Sequence, residues 1–102
     1  MTVLDHAMTE LRLAAVNDCG EMVNQVTKTL SKKHQSGEFL YERAIGYVER
    51  QLVLPAAKNY ALQHCSMTQS WRSLFPKTLR MQVAEDIVES MLAEFRIGNY
   101  WD

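Results

Sequence analysis

Glycine and proline are scarce, with four and two in 102 residues. All-β domains need many turns, and turns lean on glycine, proline, asparagine and aspartate. Their scarcity, together with few β-branched runs, argues for helices. Strong net charge is also lacking. Eleven basic residues stand against twelve acidic ones, for a formal net charge of −1. That balance gives no electrostatic reason to expect nucleic acid or an anionic membrane as the default partner. No apolar run approaches the ~18 residues of a membrane span, so no membrane association is expected. The start, Met1-Thr2-Val3-Leu4-Asp5-His6, has no basic segment ahead of an apolar block and does not read as a secretory signal. Two cysteines, Cys19 and Cys65, do not make a disulfide framework. These absences point to a cytoplasmic protein with reduced thiols.

What is present is apolar periodicity. Broadly apolar residues make up 47% of the chain, enough for an ordinary core. Leu4, Met8, Leu11, Ala15, Cys19, Met22, Val26 and Leu30 step by three or four, the spacing of one helix face. They predict a helix from about residue 2 to 33, ~45 Å long. Asp18 followed by Glu21 resembles a capping box, and Gly20 weakens a helix interior. The stripe nevertheless stays in phase there, which favours a continuous helix; two helices joined at that point are the alternative. Gln35-Ser36-Gly37 reads as a linker, with Ser36 capping a second helix to about Leu54. That helix would bury Leu40, Tyr41, Ala44, Ile45, Val48 and Leu52, with Glu42, Arg43, Glu49 and Arg50 on its other face.

Pro55 suits the first turn of a third helix ending near His64, with Ala57 and Ala61 inside. Thr68 can cap a short helix carrying Trp71, Leu74 and Phe75, with Pro76 ending it. A last helix is predicted over 77–96, with Leu79, Val83, Ala84, Ile87, Val88, Met91, Leu92 and Phe95 as its apolar stripe. Gly98 suits a left-handed residue after its end. The expected fold is therefore all-α: one domain over 1–102, a bundle of four to five helices with long N-terminal and C-terminal members. The expected core is Leu11, Met22, Val26, Ile45, Val48, Ile87, Met91 and Phe95.

Chemistry is harder to find. His64 and Cys65 are adjacent, so on a helix they point about 100° apart and cannot easily share a small target. No Cys-x-x-Cys or His-x-x-x-His spacing occurs. His6 with Glu10, and Glu85 with Glu89, lack the Glu-x-x-His spacing of bundle metal sites. No phosphate-cradling glycine loop or serine elbow is present. The expectation is a non-enzyme without catalytic residues, cofactor or metal.

Residues 57–74 have some traits of a helix-turn-helix: Ala61 as the small residue, Ser66-Met67-Thr68 as a turn, and Gln69, Ser70, Arg72 and Ser73 as DNA contacts. His64 and Ser66 stand where apolar anchors belong, and Pro76 cuts the second helix short. Leu40-Tyr41-Glu42, Val48-Glu49, Leu52 and Thr78-Leu79-Arg80 are similar to stretches of the Fis family of nucleoid DNA-bending proteins. The resemblance implies an all-helical homodimer that binds DNA. It covers a minor part of the chain. The family's glycine-rich basic recognition segment is missing, so no functional residue is carried over.

The remaining signal is aromatic. Trp71, Arg72, Tyr100 and Trp101 are the side-chain types that anchor protein interfaces. The expected function is binding to another protein as a small regulator, inhibitor or adaptor of bacterial or phage character. A homodimer is expected, because two long apolar stripes exceed what so short a chain readily buries. A DNA-binding regulator using 57–74 is the alternative.

Overall fold

Three stretches of backbone, residues 3–17, 20–64 and 75–98, are described by a computed structural model, with side chains at all of these positions except 3–6, 64 and 96–98. The chain is all-α. Helix α1 spans Val3–Asn17 and α2 spans Gly20–Ser36. Helix α3 spans Tyr41–Val48 and passes directly into a π-helical turn, Glu49–Val53. Helix α4 follows without interruption over Leu54–His64, and α5 spans Lys77–Gly98. No strand occurs among the described residues. The junction at Asp18 and Cys19, where continuity of the first helix was at issue, lies outside them.

Helix α5 is the centre of the bundle. It packs on α3, α1 and the π turn, while α1 also packs along α4. The core runs through all of these helices, from Leu11, Ala15, Val26 and Leu30 to Val83, Ile87, Val88, Met91 and Phe95. The expected core positions are buried with one exception. Met22 is 38% exposed, because α2 meets the body mainly through Val26 and Leu30.

Helix α2 ends where its backbone turns left-handed. Gly37 has φ +79°, which glycine adopts without steric cost. Its N–H donates to the His34 carbonyl at 3.3 Å, and the Glu38 N–H to the Lys33 carbonyl at 2.9 Å. This pair of bonds is a Schellman motif. Ser36 therefore belongs to the end of α2, not to the start of the next helix, and its hydroxyl donates to the Lys33 carbonyl at 3.1 Å. The next helix starts at Tyr41 after an extended Leu40 with φ −116° and ψ 118°. That late start takes Leu40 and Tyr41 off the buried face, leaving them 54% and 37% exposed instead of in the core. At the far end, α5 continues through Gly98, so this glycine does not terminate the helix from outside.

The proline at 55 does not separate two helices. A proline ring crowds the carbonyl four residues back, and its nitrogen has no proton to donate. The π turn absorbs both problems: the Leu54 N–H reaches the Glu49 carbonyl five residues back, and the helical path continues. The wider turn also brings Glu49 inward, leaving it 5% exposed rather than on the outer face.

Candidate functional site

The residues proposed from sequence as contacts are Gln69, Ser70, Trp71, Arg72, Ser73, Tyr100 and Trp101. All seven lie outside the described residues, as do Cys19 and Cys65. Phe75, their neighbour, is buried and meets the Tyr60 ring edge-on at a centroid distance of 5.4 Å. Helix α4, which would open a helix-turn-helix, is present to His64 with Ala61 buried. Its would-be recognition partner again lies outside the described residues.

A different site emerges between α2 and α3. These helices scarcely touch, since both are held by other parts of the bundle. The space between them is a groove of about 190 Å³. From α2 it receives Thr29, Leu30 and Lys33, and from the connecting turn Glu38, Phe39 and Leu40. From the third helix and its π turn come Arg43, Ala44, Tyr47 and Arg50. The spacing of Leu40, Arg43, Tyr47 and Arg50 places them along one helix face. Leu30 and Ala44 form a buried floor, with Phe39 and Tyr47 half-buried on it.

Lys33, Arg43 and Arg50 stand exposed around this floor. None of the three is paired with a carboxylate among the described residues. One acid, Glu38, shares the groove with them. Arg50 lies back along its own helix. A Cβ added at Gly46 would stand 3.3 Å from its Nη1, so the absent side chain leaves room for the guanidinium. The floor is braced from behind by His34, whose ring lies 5.9 Å from Phe39 and 5.8 Å from Phe95.

Two further polar clusters are structural in geometry. Arg80 Nε donates to Glu49 Oε1 at 3.1 Å, both side chains buried, and its Nη1 donates to the Phe75 carbonyl at 2.6 Å. The Tyr41 hydroxyl donates to Glu89 Oε1 at 2.9 Å. Its phenol is pushed up from 10.0 to about 12 by desolvation, then by that hydrogen bond and by the charges of Glu85, Glu89 and Asp86. Among the described residues, no three histidines, cysteines or acids gather as a metal site. No described helix is long and apolar enough to cross a membrane.

No family model, curated protein or solved structure matches the chain. The likeness to the Fis family therefore rests on the quoted residues alone. The groove escaped sequence reasoning for a specific reason. Arg43 and Arg50 were assigned to an outward face, and only the Schellman turn reveals that α2 brings Lys33 alongside them. The available signal was Gly37 four residues after Lys33, which marks the end of α2 rather than a plain linker.

Proposed function

We propose that this chain is a small non-enzymatic protein-binding module, acting in the cytoplasm as a regulator, inhibitor or adaptor. The observation that supports this reading best is the groove between α2 and α3. Its apolar floor can be desolvated by a partner, and its arginines and tyrosine are residue types enriched at binding hot spots. At about 190 Å³ it is smaller than the ~300–1,000 Å³ usual for small-molecule sites. It suits one or two inserted side chains better than a cofactor or a metabolite.

The test compares the wild-type chain with Arg43→Glu/Arg50→Glu. Both arginines are exposed, so helicity and thermal midpoint should be unchanged. Immobilised wild-type protein should retain one dominant protein from a bacterial lysate, and the variant should lose that same protein. Equal retention by both would remove the groove as the binding site. Strong heparin binding that falls steeply with salt would instead support the DNA-binding reading.

A further inference from the structure

The groove combines two features that together specify an occupant. The first is charge. The chain as a whole is slightly acidic, yet Lys33, Arg43 and Arg50 meet at this one place with only Glu38 to offset them. Among the described residues none of these cations has a carboxylate partner. Every other charged feature of the described surface is balanced differently. Glu49 is paired with Arg80, and the acids of α5 surround the Tyr41 hydroxyl. The second feature is shape. The floor is apolar and its volume matches an inserted side chain rather than a whole ligand.

The third-helix face from Leu40 to Arg50 covers about 15 Å at helical rise. That length is matched by roughly ten residues of a partner helix or four to five residues of an extended strand.

Resting on the protein-binding reading, we infer that the groove receives a short acidic amphipathic segment of another protein. A large apolar side chain of that segment lies on Leu30, Phe39, Ala44 and Tyr47. Carboxylates on either side of it meet Lys33, Arg43 and Arg50. Arginine binds carboxylate through two parallel N–H donors, so Arg43 and Arg50 set the register while the apolar anchor supplies the burial. Rim charges of this kind chiefly raise the association rate and make it dependent on salt. Gly46 belongs to the same device, because it leaves the Arg50 guanidinium space to lie along the helix.

The experiment pans a phage-displayed library of random 16-residue peptides against the folded full chain. Enriched peptides are then synthesised and titrated by fluorescence anisotropy. Enrichment of sequences with a leucine or aromatic residue flanked by aspartate or glutamate is expected. Their affinity should fall at least about tenfold on Arg43→Glu/Arg50→Glu, and fall again as salt is raised. Leu40→Ala, which keeps the charge, should weaken them less. Enrichment of neutral or basic peptides would overturn the acidic occupant while leaving protein binding intact. No enrichment above background would overturn it as well. Conversion of a dimer to a monomer by Arg43→Glu/Arg50→Glu would assign the groove to a second copy of the chain. Selective binding of duplex DNA, lost in the same variant, would overturn both the inference and the protein-binding reading.

Discussion

Tyr41 shows how a single residue reports its surroundings. Its side chain was expected in the core on helical spacing, and it instead stands at the start of α3 with its hydroxyl on Glu89. Three acids of α5 and partial desolvation oppose its ionisation, which moves the phenol from 10.0 to about 12. Folding thus favours the neutral phenol. Its contribution to stability is complete below pH 10 and is lost as the pH rises toward about 12. The difference in ultraviolet absorbance titration between wild type and Tyr41→Phe should show one phenol ionising near pH 12, and Glu89→Gln should bring that step down. A step near pH 10 in the wild type would refute the contact. Met22 and Leu40 teach a related lesson. A position in phase with an apolar stripe is buried only if another element lies opposite it, and α2 has few neighbours near Met22 while Leu40 precedes its helix.

Among the elements, the π turn joins the two halves of the bundle's longest helical path. Glu49 points from it to Arg80 on α5, and Arg80 also holds the Phe75 carbonyl ahead of that helix. One guanidinium therefore ties three parts of the chain together. Removing one member of a buried pair leaves the other charged in an apolar setting, a loss of about 3–5 kcal/mol. Arg80→Met and Glu49→Leu should each show a destabilisation of that order in urea unfolding, and the double variant should recover most of it. Equal, additive losses would mean that the pair acts only through packing.

Much of this level was legible beforehand. The apolar stripe over 77–96 predicted α5 almost to its ends, because Leu79, Val83, Ile87, Met91 and Phe95 all meet neighbours. Pro55 and its helix were placed correctly within a residue. The π turn was not legible, since hydrogen bonds five residues apart leave no mark in hydrophobic spacing. The inward turn of Glu49 follows from it and was missed for the same reason. The groove depends on three segments, α2, the turn after it and α3, and no local pattern in one of them reveals the other two.

For the molecule as a whole, the unresolved question of assembly becomes narrower. The apolar stripe of α5 is spent inside the chain, with Val83, Ala84 and Val88 fully buried. Helix α1 keeps Leu13 and Val16 exposed at 52% and 41%, and Leu62 on the adjoining α4 is 83% exposed. A two-fold contact is therefore expected at α1 and α4, not at the C-terminal helix. Sedimentation equilibrium at micromolar concentration should give twice the 11.8 kDa chain mass, with Leu62→Lys shifted toward monomer. A single species of 11.8 kDa across the concentration range would show that these side chains carry no dimer. The π turn has a last consequence, for chain length rather than for contacts. It uses one more residue than an α-helical turn would for nearly the same advance. Deleting any one residue of 49–53 would rotate everything after it by about 100° and swing Ala56, Ala57 and Ala61 off their buried face. The number of residues between Val48 and Leu54 is thus held as firmly as the identity of any core side chain, although no single side chain there displays the constraint.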